Sequence, residues 1–210
     1  MRESPSAGCA LHVWPADAAQ VLAELRSGTG VTVIGRALPP TASCTEARAS
    51  IRKALKQTLA AFFGQPAAAV TLTSRPGQAI QVQVQMRMQA PGTAPVFVSI
   101  SHMPGLSVAA ISSSGAVGVD VMVVDAPLPP GWEWVALDYL GPQAAAALHR
   151  TAPAERATAF AQAWVSGEAR LKCLGLGLTE WTPSLAMRLT ACDVHWLALP
   201  PGICGAVARG

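Results

Sequence analysis

Apolar residues recur at helical spacing in two long segments of the chain. In residues 45–63 they occupy one side of a predicted helix, and Gly64 and Pro66 follow as stop signals. Residues 151–174 show the same spacing, with Pro153 suited to the first turn. We therefore predict a long helix in each half of the chain.

Shorter apolar runs and alternating runs predict strands. Residues 80–88 alternate apolar and polar side chains, which is typical of a half-buried strand. The runs at 96–101, 106–112 and 116–124 are separated by short turns, and such connections predict an antiparallel meander. Further strands are predicted at residues 185–189, 194–199 and 203–208.

The order of these elements predicts an α+β fold. A helix and strands precede a proline-rich linker at 125–131, and a second helix and further strands follow it. We therefore expect two lobes of similar size, an N-terminal lobe of residues 1–115 and a C-terminal lobe of residues 116–210.

Composition narrows the classes of protein that fit. No uninterrupted apolar run reaches the roughly 18 residues that a membrane-spanning helix needs. The net charge of +3 is too small to indicate nucleic-acid binding. The five cysteines show no metal-ligand spacing, which favours reduced thiols in the cytoplasm. We expect a soluble, cytoplasmic protein that binds neither membranes nor nucleic acid.

Two polar residues stand at unusual places in the predicted strands. Asp120 lies inside an otherwise apolar strand, where a buried carboxylate needs a cation or hydrogen-bond donors. His102 follows a strand directly, where an imidazole could donate to a phosphate oxygen. Taken alone, each has a plainer interpretation: a carboxylate capped by backbone amides, and a hydrogen-bonded turn residue.

Charged residues also cluster on the two predicted helices. Glu168 and Lys172 lie one helical turn apart, as an ordinary solvated ion pair would. Arg48, Arg52 and Lys56 follow at four-residue intervals and share a basic face. Each pattern by itself usually marks a solvated surface.

Together, these residues indicate chemistry on a phosphate-bearing substrate. Such a substrate needs cations that neutralise it and a carboxylate-held Mg²⁺ that bridges its oxygens. Phosphate transfer to a hydroxyl also needs a base and a positive group near the leaving group. The two carboxylates, the lysine, the histidine and the basic helix face would supply these parts.

The order and spacing of the motifs resemble a known family. The stretches "ISH", "VGVDV" and W-x-x-x-E-A-x-x-K-x-x-G-x-G-L resemble the 4'-phosphopantetheinyl transferases of the long, monomeric class that activates surfactin synthetase. The stretch "EARASIRKALKQTLAAFFG" is similar to the family's arginine-rich first helix, and "SRPGQA" to its Gly-Lys-Pro loop. The resemblance implies two pseudo-symmetric lobes, each a small antiparallel sheet packed with a long helix, and an active site in the cleft between them.

The family's reaction moves 4'-phosphopantetheine from coenzyme A to a serine of an apo acyl or peptidyl carrier protein. It depends on Mg²⁺ and releases adenosine 3',5'-bisphosphate. By resemblance, Asp120 and Glu168 would hold Mg²⁺, and Glu168 would also take the serine proton. Lys172 would contact the phosphate being transferred. A monomeric enzyme is implied.

The resemblance also implies a coenzyme-binding set. Ser101 and His102 match the Ser-His pair beside the coenzyme's 3'-phosphate. Arg48 and Arg52 would lie near the same nucleotide, with Arg52 ranked above Arg48 and Lys56 as a weaker third.

The sequence departs from the family pattern at several positions. Met122 stands where many members carry a second acid, and a water could fill that ligand position. Gly167 replaces a basic residue and costs the helix roughly 1 kcal/mol relative to alanine. Ser99 and Gln78 stand where asparagine and lysine are common.

Three hypotheses follow from these matches and departures. The first is an active transferase. The second is a degenerate homologue that binds coenzyme A or a carrier protein without transfer. The third is an unrelated α+β domain whose motifs match by chance.

Overall fold

The computed structural model describes residues 9–28, 30–73, 80–84, 95–125 and 127–210. In these ranges the chain is a mixed α+β protein. Its strands are β1 (Leu11–Val13), β2 (Val31–Ala37), β3 (Val70–Thr73), β4 (Gln81–Val84), β5 (Phe97–Met103), β6 (Leu106–Ser112), β7 (Val117–Val123), β8 (Asp193–Trp196) and β9 (Ile203–Arg209). Its helices are α1 (Ala18–Ser27), α2 (Cys44–Phe63), α3 (Trp132–Val135), α4 (Pro142–Arg150), α5 (Pro153–Cys173) and α6 (Pro183–Leu189), and a π-helical turn over Ala136–Leu140 continues α3.

Both predicted long helices are confirmed, as α2 and α5, and local chemistry explains their ends. α2 begins at a capping box, in which the Ser43 hydroxyl accepts from the Glu46 amide and the Glu46 carboxylate accepts from the Ser43 amide. It ends at Gly64, where a φ of 63° favours glycine. α5 begins at Pro153, where the missing amide proton costs no helical hydrogen bond. No helix in the described ranges has an apolar stretch long enough to cross a membrane.

The larger sheet has the strand order β1-β2-β6-β5. β2, β6 and β5 pair antiparallel, which confirms the hairpin predicted from residues 96–101 and 106–112. β1 instead pairs parallel with β2, so the expectation of a wholly antiparallel sheet is wrong at this edge. The reason is that α1 lies between β1 and β2 in sequence, and a helical crossover joins parallel strands.

The meander prediction is wrong at its third strand. β7 leaves the first sheet and pairs antiparallel with β9, in a sheet of order β7-β9-β8. The turn between β6 and β7 is short, but the strand that completes the β7 ladder comes from the end of the chain. β8 and β9 confirm the strands predicted near residues 194–199 and 203–208.

Two other strand predictions have different outcomes. Residues 185–189 are wrong as a strand, because they belong to α6. The Thr182 hydroxyl accepts from the Leu185 amide, and Pro183 occupies the first turn, so both favour a helix start. Within the predicted strand at 80–88, Gln81–Val84 is confirmed as β4, and residues 85–88 lie outside the described ranges.

The two main sheets pack face to face, with helices on their outer sides. Alternate residues of β2 and β6 face opposite ways, as strand geometry requires. Ile34 and Ile111 pack with α1 and α2, whereas Val33 and Val108 pack against β7. The opposite face of the second sheet packs on α5 through the cluster that contains Val165, Ala169, Cys173, Ala206 and Ala208. The layers therefore run helix, sheet, sheet, helix.

Gly118 allows α5 to approach β7 very closely. A Cβ atom at this position would lie 1.9 Å from the Ala169 carbonyl oxygen and 2.4 Å from the Cys173 amide nitrogen. Real Cβ atoms do not come so near to backbone, so only glycine fits without moving the helix. Asp120 lies two residues further along the same face of β7, so this contact also sets the helix close to Asp120.

We expect Gly118→Ala to destabilise the protein by about 1–3 kcal/mol or more, since the new methyl group overpacks the backbone of α5. Gly167→Ala is the matched control. Its Cβ would meet only Leu140, at 3.5 Å, so the substitution should stabilise α5 by up to about 1 kcal/mol. Urea unfolding of both variants gives the free energies. A Gly118→Ala protein as stable as the parent would contradict the close contact.

Candidate functional site

Asp120 is a buried carboxylate with two donors on one oxygen. It lies in the middle of β7 with 7% of its surface exposed. The Ser101 hydroxyl donates to Oδ1 at 2.7 Å, and Lys172 Nζ donates to the same oxygen at 2.6 Å. Lys172 also donates to the Val119 carbonyl at 3.2 Å. The lysine therefore supplies the cation that a buried carboxylate in an apolar strand requires.

Glu168 joins this pair from the preceding turn of α5. Its Oε2 atom lies 3.9 Å from Lys172 Nζ, so one ammonium reaches both carboxylates. Its Oε1 atom is buried and has no hydrogen-bond partner among the described residues. Burial raises the pKa of Glu168, the charge of Lys172 opposes that rise, and the charge of Asp120 adds to it.

The free edge of β7 explains how the strand aspartate meets the first sheet. Within the described sheets β7 pairs with β9 alone, so its other edge faces β5. The Val119 amide donates to the Ser99 hydroxyl at 3.1 Å, and the Val121 amide donates to the Ser101 hydroxyl at 3.3 Å. Two serine side chains thus replace ladder bonds and join the sheets beside Asp120.

The two carboxylates of this site could hold a magnesium ion. Mg²⁺ in proteins commonly takes one or two carboxylates and completes its coordination with waters and substrate phosphates. Asp120 and Glu168 place two carboxylates around the same Lys172 ammonium, and Glu168 Oε1 is buried without a partner in the described part of the chain. No cluster of three or more His, Cys, Asp or Glu side chains occurs there. Asp120 and Glu168 would be the protein ligands.

His102 brings a titratable group to the same region. Its Nδ1 atom is hydrogen-bonded to the Ser107 hydroxyl at 3.0 Å, across the β5–β6 ladder. Burial lowers the pKa of His102, and the positive charges of Arg48 and Lys172 lower it further. Cations from α2 and α5 therefore act on one imidazole, and their summed field favours an anion.

The two arginines of α2 have different environments. The Arg52 guanidinium is half-buried and donates to the Leu72 carbonyl of β3. Arg48 is exposed, and neither a hydrogen bond nor an ion pair joins it to any other described residue. The geometry thus makes Arg48 the more available of the two, whereas sequence reasoning ranked Arg52 first. Gln78 lies outside the described residues.

Met122 occupies the same face of β7 as Asp120. It is half-buried and packs with the cluster formed by α5 and β9. Its thioether offers no hard oxygen ligand, so this face of β7 carries one carboxylate. Many members of the family that the sequence resembles carry a second acid at the position of Met122.

A cavity of about 320 Å³ lies on the other side of α5. The π-helical turn and α6 form its further walls, and Tyr139, Leu140, Gly167, Arg170, Trp181 and Leu189 line it. A smaller space shares four of these residues and extends to Glu168. Arg170 bonds to the Ser166 hydroxyl and the Cys192 carbonyl but has no acidic partner in the described ranges. The cavity is therefore mostly apolar, with Arg170 as its basic residue.

Sequence reasoning missed two features of this site. One is the cavity, whose walls come from segments that meet only in the folded chain. The other is Gly118, for which a signal did exist. A glycine within an apolar strand, two residues from a buried charge, indicates close backbone approach on that face.

The chain matches no protein-family model and no curated protein.

We expect Arg48→Ala to raise the pKa of His102, because one of the two cations that disfavour the imidazolium is removed. Lys53→Ala, on an exposed position of the same helix, should leave that pKa unchanged. NMR titration of the His102 ring signals measures the shift in both variants. An identical pKa in Arg48→Ala and the parent would show that the guanidinium does not act on the imidazole.

Proposed function

We propose that this protein transfers 4'-phosphopantetheine from coenzyme A to a serine of an apo carrier protein, in a Mg²⁺-dependent reaction. One observation supports it most strongly. Asp120 and Glu168 lie around Lys172, and His102 lies within the field of Arg48 and Lys172. Two carboxylates beside a row of cations suit a phosphate ester and the ion that accompanies it.

Lys172 and Glu168 would have different roles in the reaction. Lys172 has three N–H donors, of which Asp120 and the Val119 carbonyl take two, so the third can bind an oxygen of the transferred phosphate. Glu168 has an unpartnered oxygen and a pKa that burial raises, and both features suit acceptance of the serine proton. An ion held by Asp120 and Glu168 would supply positive charge that stabilises the phosphate groups of the substrate.

The coenzyme's nucleotide end would lie across β5 and α2. His102 and Arg48 would bind the 3'-phosphate, and a phosphate there would favour the imidazolium that the two cations otherwise disfavour. Arg52 would act through its contact with β3 rather than at the phosphate. We propose that residues 1–115 and 116–210 form pseudo-symmetric lobes with a cleft between them, since each range contributes a sheet and a long helix to the layered fold. We also propose that the enzyme acts as a cytoplasmic monomer.

The carrier protein would dock at the cavity beside Gly167. It is mostly apolar, the smaller space that shares its walls extends to Glu168, and Arg170 gives it a positive charge without an acidic partner in the described chain. An acidic and apolar surface next to the acceptor serine would complement it, with the serine hydroxyl delivered towards Glu168.

A second candidate function is binding without transfer. Met122 supplies no carboxylate on the face of Asp120, and this observation favours a degenerate homologue that retains coenzyme A or carrier affinity. The two functions differ in one result: only a transferase adds mass to a carrier.

We expect Asp120→Asn and Glu168→Gln each to lower the rate of carrier modification by about 100-fold or more, because each removes a charged ligand while keeping the side-chain shape. Asp125→Asn and Glu155→Gln, both exposed, are the matched controls and should transfer at the parent rate. Intact-mass analysis of a panel of apo carriers, incubated with coenzyme A and Mg²⁺, measures each rate. Coenzyme A binding by the parent with no mass gain on any carrier would favour the binding function instead.

We expect Arg170→Glu to raise the KM for the carrier while leaving the KM for coenzyme A unchanged, because the reversed charge repels an acidic partner. Arg150→Glu, an exposed arginine at the end of α4, is the control for net charge. Equal carrier KM values for the two variants would place docking elsewhere.

A further inference from the structure

Ser101 lies between the two sheets and bonds in both directions. It is 5% exposed. Its hydroxyl oxygen accepts from the Val121 amide at 3.3 Å, and its proton goes to Asp120 Oδ1 at 2.7 Å. An amide can only donate, so the direction of both bonds is determined. The proton of the Ser101 hydroxyl is therefore committed to the aspartate.

These contacts orient the Asp120 carboxylate. Ser101 and Lys172 both donate to Oδ1, and no hydrogen bond within the described residues reaches Oδ2. The side chain is held by one oxygen, and the other retains its lone pairs. If Lys172 turns to a phosphate oxygen, the serine still holds Oδ1, because Ser101 is fixed by its own bond to β7.

The strand geometry separates Ser101 from its neighbour His102. Successive side chains of a strand point to opposite faces. Ser101 reaches β7, whereas His102 bonds to Ser107, which lies opposite it on β6. The adjacent residues therefore serve different groups, although the resemblance pairs them at the coenzyme's 3'-phosphate.

We propose that Ser101 is a positioning residue for the Asp120 carboxylate, which it holds so that Oδ2 is presented to a divalent cation, and that it does not contact the coenzyme. This rests on the proposed function for the identity of the ion. A partner that orients a metal ligand commonly contributes 10–100-fold to metal affinity.

Ser99 provides a matched control on the same strand. It is equally buried, and its hydroxyl accepts from the Val119 amide, so it joins the same two strands. No hydrogen bond within the described residues joins it to the Asp120 carboxylate. The comparison between Ser99→Ala and Ser101→Ala therefore isolates the contact with the carboxylate from the general loss of a hydroxyl between the sheets.

The test measures two quantities in each variant. The first is Mn²⁺ affinity, measured by electron paramagnetic resonance with and without coenzyme A, and the second is the KM for coenzyme A. We expect Ser101→Ala to weaken Mn²⁺ binding by about tenfold or more and to leave that KM unchanged. Ser99→Ala should retain the parent affinity, and Ser101→Thr, which keeps a hydroxyl, should restore it. Ser101→Cys, a weak donor of similar size, should weaken binding if the alanine variant does not fold.

Three outcomes would overturn the proposal. Parent protein that binds no Mn²⁺ removes its basis, and equal affinities in Ser101→Ala and Ser99→Ala show that the carboxylate contact has no role. A raised KM for coenzyme A with unchanged Mn²⁺ affinity places Ser101 on the coenzyme. Parent protein that binds Mn²⁺ but modifies no carrier contradicts the proposed function, and the comparison of serine variants still decides the role of Ser101.

Discussion

The contact between Asp120 and Lys172 is the constraint on which the rest of the site depends. A carboxylate in the middle of an apolar strand is unstable unless a cation or hydrogen-bond donors reach it, and the ammonium at 2.6 Å belongs to Lys172 of α5, 52 residues further along the chain. The helix can deliver it only because Gly118 lets the α5 backbone lie against β7. Packing and charge compensation therefore require the same arrangement, and Glu168 is brought beside Asp120 as a consequence.

The hydrogen bonds between β5 and β7 are the second feature that holds Asp120 in place. Since β7 has no ladder partner on the side of β5 among the described strands, its amides need other acceptors, and the hydroxyls of Ser99 and Ser101 supply them. The polar site and the sheet interface are thus built from the same side chains. The same junction brings the cations of α2 and α5 within reach of His102, so the region combines fixed carboxylates with an electropositive border.

Local patterns predicted much of the fold. The helical spacing of residues 45–63 and 151–174 marks one buried face of each helix, and the apolar runs of β5, β6 and β9 mark buried strands, so these elements were predictable without knowing their neighbours. The strand prediction for residues 185–189 was wrong because a short apolar run is compatible with either a strand or a helix. The N-cap at Thr182 favours the helix. The pairing partner of β7 was predicted wrongly, because β7 pairs with β9, which is distant in sequence. Local patterns do not show which distant strands will pair.

The sequence by itself determined which groups are available for chemistry: an acid in an apolar strand, Glu168 and Lys172 one turn apart, and a basic face on the first long helix. Those features depend on neighbours along the chain, where helix and strand periodicity fix relative positions. Only the tertiary structure decided their partners. It placed Ser101 on Asp120, tied Arg52 to Leu72 and left Arg48 exposed. The physical reason is that hydrogen bonds between distant elements depend on packing distances that local periodicity does not encode.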